Sequence, residues 1–324
     1  MDKTDSMSNL TVSYSPHIRS NASTQRIMLD VIIALTPAFI AAVWIFGWRA
    51  ALVTGVCVLS CVLFEWAYQK ILKRQNTVYD LSACITGILL AYNLPVTIPL
   101  WQAVVGSFVA IVLVKMLFGG LGKNFANPAA TARIFMFLAF SAEMTTWVIP
   151  DGISGATPLD ALTGATPLAL FKNGELEYLP GIWDMLIGTR GGCLGETSTI
   201  ALLIGGIYLV ARRVITWHAP VSFIGTVFVL TALFGEMPVY NLFTGGLIIG
   251  AVFMVTDYAT TPQTNTGRLI FGIGAGVFTV IIRLYGSYPE GVSFAILFMN
   301  ILVPYINKIT LKKALGAKKE GKKT

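Results

Sequence analysis

Charge is what this sequence has least of. Only 12% of its 324 residues are Asp, Glu, Lys or Arg, against about 25% in an ordinary soluble domain. That shortage excludes a conventional water-soluble enzyme. Histidine is almost missing: His17 and His218 stand alone, so no histidine-based metal centre is expected. Of the four cysteines, Cys57, Cys61 and Cys84 lie in apolar stretches, where cysteine behaves as a small hydrophobe. Cys193 has neither a CxxC partner nor a nearby histidine. A disulfide scaffold, a Cys/His metal site and an iron–sulfur motif are thereby excluded as readings. No nicotinamide-binding motif is present either. Residues 1–26 contain no apolar core, so no cleavable leader is expected and the first apolar stretch should be a retained helix. The weak dyad alternation of a membrane β-barrel is also lacking.

What remains is hydrophobic: 55% of the chain. A helix needs about 20 mostly apolar residues to cross a bilayer. Ten stretches approach that, at 27–47, 50–69, 80–95, 97–118, 129–149, 197–212, 217–235, 240–256, 269–286 and 291–306. The expected fold class is therefore an all-α polytopic membrane protein with about ten transmembrane helices. Five stretches precede the longest polar connection and five follow it, which is the arithmetic of two five-helix inverted repeats. Val78-Tyr-Asp-Leu81 and Val239-Tyr-Asn-Leu242 echo each other at the third stretch of each half. The expected organisation is a cytoplasmic segment 1–26, a first repeat 27–149, an outer loop 150–196, a second repeat 197–306 and a Lys-rich tail 307–324.

The net charge of +7 does not point to nucleic acid, because the basic residues sit at membrane edges. With the N-terminus inside, nineteen Lys and Arg fall on the cytoplasmic side, the seven lysines from Lys308 to Lys323 among them, and four fall outside (Arg49, Lys172, Arg190, Arg283). The positive-inside rule then places both termini in the cytoplasm and loop 150–196 on the outer face. A bacterial cytoplasmic membrane is the expected home.

Four stretches stand out. Phe118–Arg133, "FGGLGKNFANPAATAR", has Gly119, Gly120 and Gly122, which permit close backbone approach to a ligand. Its Asn124 and Asn127 carry uncharged donors and acceptors suited to a heteroaromatic ring edge, or serve as helix caps. Val255–Arg268, "VTDYATTPQTNTGR", sets Asp257 among threonines at a membrane edge; it reads as an ion-handling acid or as a capping turn. Gly191–Ser198 holds Glu196, an N-terminal helix acid or an ion-handling carboxylate. Asp30, Glu65 and Asp80 lie near the ends of their stretches, where snorkelling lowers the cost of a charge. The fourth, "SGATPLDALTGATPL" at 154–168, repeats itself: Asp151 leads Ser154-Gly-Ala-Thr157, and Asp160 leads Thr163-Gly164-Ala165-Thr166. Pro158 and Pro167 put each threonine in a turn, either a plain surface turn or a recognition site for a modifying enzyme.

These motifs, in this order, resemble the family of Rnf complex D subunits, which is related to the B-type subunits of sodium-pumping NADH–quinone reductases. The resemblance begins at Ser15-Pro-His-Ile-Arg19 and takes in the four stretches. It reaches Tyr288-Pro-Glu-Gly-Val292 and Asn300. It implies FMN joined through its phosphate to a threonine by a flavin transferase. Thr166 is the expected acceptor, because Pro-Leu-Ala-Leu-Phe-Lys follows it; Thr157 is the alternative. It also implies a non-covalent riboflavin near Gly119, Gly120, Gly122, Asn124 and Asn127. Partners would be the other complex subunits (A, B, C, E and G types), and the activity would be ferredoxin:NAD+ electron transfer coupled to Na+ or H+ translocation. Asp80, Glu196 and Asp257 are the candidate ion-path acids. No metal site is implied for this chain, and the catalytic residues stay unassigned. Spacing alone leaves two other classes open: a small-solute channel without redox chemistry, and a scaffold that only holds redox partners.

Overall fold

The computed structural model describes residues 23–148, 163–164, 168, 179–196, 198–286 and 291–311. Two long helices open it, α1 (Thr24–Phe46) and α2 (Trp48–Ile71). Ser23 caps α1 by accepting the Arg26 N–H at 3.3 Å. Gly47 alone joins the two helices, at φ 72°, a conformation open to glycine because it lacks Cβ. A 3₁₀ turn, Val78–Asp80, then leads through Leu81 at φ 64° into α3 (Ser82–Tyr92). Next, α4 (Leu100–Phe108) widens into a π-helical stretch, Val109–Met116. The glycine-rich turn follows, then α5 (Pro128–Ala139) and a short α6 (Ser141–Met144). Strand β1 (Trp147–Val148) pairs antiparallel with β2 (Thr163–Gly164), Trp147 opposite Gly164.

The second half contains α7 (Ile182–Ile187), α8 (Thr199–Ala211) and α9 (His218–Leu233). After these come α10 (Pro238–Phe243), α11 (Leu247–Ile249) with a π-helical continuation Gly250–Met254, and the long α12 (Asn265–Tyr285) and α13 (Val292–Thr310). The α9–α12 pair packs most closely, because Gly272 and Gly276 face it: a Cβ on Gly272 would lie 2.6 Å from the Ala219 carbonyl, and one on Gly276 would lie 2.7 Å from Thr226. Elsewhere α2 packs on α3 and α4, α1 on α8, and α13 on α12 and α5.

One apolar core runs through both halves and includes Leu35, Leu90, Phe223 and Phe271. Large apolar side chains also point outward: Trp44 is 70% exposed, Ile207 69% and Leu233 75%. An apolar surface of this extent is unfavourable in water and favourable in lipid, so the chain is a membrane protein.

The expectation of about ten spanning helices in two five-helix repeats is corrected. Among the described residues, four helices are long and apolar enough to cross a membrane: α1, α2, α12 and α13. Five more are apolar but only 10–17 residues long. The reason is backbone continuity, which apolar content alone does not report. The stretch 80–95 becomes the 11 residues of α3, begun by left-handed Leu81 and ended ahead of Pro95. The stretch 129–149 stops at Ala139. The stretch 240–256 breaks at Gly245 and Gly246, whose φ values are 68° and 67°.

Candidate functional site

Three predicted site residues from two separate motifs meet in one pocket. Asn124 and Asn127, from the glycine–asparagine stretch, line it together with Asp257. Apolar walls come from α1 (Ile27, Val31), α3 (Ile85, Leu89), Pro128 and Phe253. Its cavity volume is about 90 Å³, with further space open to the surroundings.

Each polar group has its own local cause. Asn127 caps α5: its Oδ1 accepts from the Ala129 and Ala130 N–H groups at 3.0 and 3.1 Å, and its Nδ2 donates to the Met254 carbonyl at 3.5 Å. Asn300, with its amide turned to satisfy both neighbours, accepts from the Asn127 N–H at 3.0 Å and donates to the Thr260 carbonyl at 3.1 Å. Asn124 differs. Its Nδ2 donates to the Ala126 carbonyl at 3.2 Å, while its buried Oδ1 has no partner among the described residues. An unsatisfied buried acceptor is costly unless a ligand or water donates to it. Of the pair, one amide oxygen caps a helix and the other is buried without a partner among the described residues.

Asp257 accepts from Thr260 Oγ1 at 3.0 Å and from the Ala259 N–H at 3.3 Å. Burial pushes its carboxyl above the usual aspartate range, opposed by those two hydrogen bonds and by the charge of Lys115. Thr264 caps α12, accepting the Gly267 N–H at 3.0 Å. The threonine-rich turn therefore caps a helix and also supplies an acid to the pocket.

Sequence reasoning missed the pocket's charged wall. Lys115 and Ser82 line the pocket, and the Lys115 Nζ lies 2.6 Å from Glu65 Oε2 and 2.6 Å from Ser82 Oγ. Ser82 Oγ in turn donates to Asp80 Oδ1 at 2.5 Å. Glu65 does not snorkel: its side chain is 1% exposed and that of Lys115 is 3% exposed. Lone opposite charges in two apolar stretches were the available signal, but nothing in their spacing announces that they meet. Asp80 also opens onto a vestibule of about 430 Å³ bordered by Gln69, Thr77, Gly119 and Gly120. Gly119, Gly120 and Gly122 all have positive φ (113°, 91° and 82°), so this turn requires glycine.

Glu196 is elsewhere, toward the opposite end of α3, a helix roughly 16 Å long at 1.5 Å per residue. It is buried beside Arg190, which donates to the Glu196 carbonyl at 3.1 Å, and its Oε2 has no partner among the described residues. Burial pulls the Arg190 guanidinium below its ordinary value, with Glu196 and Cys193 opposing. Ser198, rather than Glu196, caps α8. Gly195 lies on α3's last residue, where a Cβ would come within 2.2 Å of Tyr92. Nearby, Arg133 donates to Asn93 Oδ1 at 2.9 Å and Arg283 to the Thr244 carbonyl at 2.8 Å.

Thr157, Asp160, Ala165 and Thr166 lie outside the described residues. Thr163 and Gly164 form β2, and Leu168, two residues past Thr166, is buried beside Gly245.

The family described as NQR2, RnfD, RnfE matches residues 11–316. The D subunit of the Na+-translocating ferredoxin:NAD+ oxidoreductase complex of Acetobacterium woodii is 47% identical over 97% of this chain and 98% of its own length. The D subunit of the proton-translocating ferredoxin:NAD+ oxidoreductase complex of Clostridium ljungdahlii is 41% identical over 95% and 97%. The D subunit of the ion-translocating oxidoreductase complex of Stutzerimonas stutzeri is 38% identical over 93% and 94%.

Proposed function

The chain belongs to the NQR2, RnfD, RnfE family, and from that premise we propose that it is a flavin-carrying membrane subunit of an Rnf-type complex. In that complex, electron transfer between ferredoxin and NAD+ is coupled to outward movement of Na+ or H+. The observation that carries this reading is the end-to-end match to D subunits of ion-translocating oxidoreductases. The chain acts as one part of an oxidoreductase and depends on subunits of the A, B, C, E and G types for ferredoxin and NAD+ chemistry.

Two flavin positions follow. The first is FMN in phosphoester linkage to Thr166, installed by a flavin transferase that reads Asp160, Thr163, Gly164 and Ala165, with Thr157 as the alternative acceptor. The second is a non-covalent riboflavin in the pocket of Asn124 and Asn127. The residues fit it: apolar walls suit the ring faces, and Asn124 Oδ1 is free to accept a ring N–H. Bound flavin supplies redox chemistry, while the protein sets its position and potential. Asn127 fixes the α5 end of the pocket; of the glycine turn, Leu121 lines the pocket, while Gly119 and Gly120 border the vestibule. Asp80 and Asp257 are the ion-path acids of the cytoplasmic side, and Glu196 that of the outer side. The basic-residue distribution supports cytoplasmic termini and an outer threonine loop in a bacterial cytoplasmic membrane.

The experiment is in-gel flavin fluorescence of the denatured protein, co-expressed with its transferase, beside Thr166→Val and Thr157→Val. Fluorescence lost with Thr166→Val alone supports the assignment, and loss with Thr157→Val alone moves the flavin to that copy. A dark unmodified protein, with the transferase shown active on another target, would overturn the covalent flavin.

A further inference from the structure

The Lys115–Glu65 pair has no role in that reading, yet it stands between the two cavities. The vestibule is bordered by Asp80, Gln69 and Thr77, the pocket by Lys115 and Ser82, and Leu121 lines both. The hydrogen bonds across the wall are continuous. Lys115 Nζ lies 2.6 Å from Ser82 Oγ, which lies 2.5 Å from Asp80 Oδ1. On the other side Lys115 meets Glu65 Oε2 at 2.6 Å, and Thr77 Oγ1 donates to Glu65 Oε1 at 3.2 Å. Both ends of this hydrogen-bonded series reach the vestibule.

Stability does not account for the pair. A buried ion pair is commonly no more stable than apolar residues of the same volume. The local backbone is also unusual: Lys115 is carried on a π-helical stretch, a rare feature found mostly at functional sites, and non-glycine Leu81 adopts φ 64° immediately before Ser82. An ammonium has three donors. Glu65 and Ser82 take two, and the residue that carries the third lines the pocket.

We propose that Asp80, Ser82 and Lys115 form a proton relay from the vestibule to a redox ligand held in the pocket, with Glu65 as the fixed counter-ion of Lys115. The proposal rests on the reading of a flavin ring in that pocket. Bound flavin would supply the redox chemistry, with its electrons coming from the complex's carriers, and two passes of the relay would supply the two protons. In each pass Lys115 would release one proton from its Nζ into the pocket and become a neutral amine. The amine takes a proton from the Ser82 hydroxyl, Ser82 takes one from Asp80, and Asp80 is reprotonated from vestibule water. The ammonium fills the space between Glu65 and Ser82, so beyond Asp80 this branch carries protons.

The test follows ring reduction and proton uptake in the purified complex by rapid mixing with reduced ferredoxin, alongside the flavin content released on denaturation. Removing Lys115 alone would bury an unpaired Glu65 carboxylate, so the informative variant is the charge-neutral Lys115→Met with Glu65→Gln. Asp80→Asn is the vestibule-side partner. Charged and titratable groups around Lys115 are Glu65, Asp80, Asp257, Cys61 and Cys84, so the pH profile of each variant is recorded with Asp257 intact. The expected result is unchanged non-covalent flavin with proton-coupled reduction slowed about 10²-fold, loss of the solvent deuterium effect, and no dependence on Na+. Reduction and proton uptake at the unmodified rate in both variants would overturn the relay. Release of no non-covalent flavin from the unmodified complex would instead overturn the flavin reading beneath it.

Discussion

Asp257 shows what a single side chain contributes. Burial raises its carboxyl above the usual range, so the folded chain holds that proton more tightly than the unfolded chain does. Ionisation therefore costs the folded state stability, and the cost grows as pH rises from about 3.8, the unfolded value. Asp257→Asn is expected to raise the unfolding temperature in detergent at pH 7 and to change it little at pH 4. Thermal melts at the two pH values check this; an equal shift at both would show that burial of the charge is not the cause. The sequence placed Asp257 at a membrane edge but could not say what it faces. Its neighbours Asn124 and Asn127 lie about 130 positions away along the chain, and only packing of α5 against the Phe253–Ala259 segment joins them. Glu65 is the reverse case. Its position near a helix end suggested a snorkelling charge, whereas Lys115, fifty positions later, holds it inside.

Among the elements, helix pairs in this chain are spaced by small residues. Gly272 and Gly276 sit one turn apart on α12 and admit α9 to backbone contact, where a Gly272 Cβ would lie 2.0 Å from Ser222 Oγ and 2.6 Å from the Ala219 carbonyl. Close approach of this kind is how helices associate in lipid, where no hydrophobic force separates protein from tail. Ser222 can rotate away, but the Ala219 carbonyl cannot. Gly272→Ala is expected to destabilise the protein by about 1–3 kcal/mol, read as a lower unfolding temperature. Gly225, which has open space around its Cβ position, provides the control, since Gly225→Ala should cost nothing and can gain from helix propensity. The GxxxG spacing is legible in the sequence. Its partner helix is not, because any small-residue face would accept it.

For the whole molecule, orientation is the property most open to test. Trp183 on α7 is 73% exposed and belongs to the segment assigned to the outer face. Gln75 borders the vestibule assigned to the cytoplasmic side. The native cysteines give little background, as Cys57, Cys61 and Cys193 are buried and Cys84 is half-buried. Trp183→Cys should react with a membrane-impermeant maleimide in intact cells, and Gln75→Cys only after the membrane is opened. The opposite pattern would invert the topology and with it the assignment of Asp80 and Asp257 to the cytoplasmic mouth.

Composition by itself determined that this is a membrane protein, because a chain with 12% charged and 55% hydrophobic residues cannot cover its surface with polar groups. Motif order determined the family, since the glycine–asparagine, threonine and acid-bearing stretches occur together over nearly the whole chain. The number of membrane-length helices was beyond it. Apolar windows sum side chains, whereas a helix is ended by its backbone, here by left-handed Leu81 and by Gly245 and Gly246. Tertiary structure alone decided which amide caps a helix and which keeps an unpartnered oxygen, and it alone brought Lys115 to Glu65. Contacts between distant segments depend on how faces pack, and no local pattern records the partner.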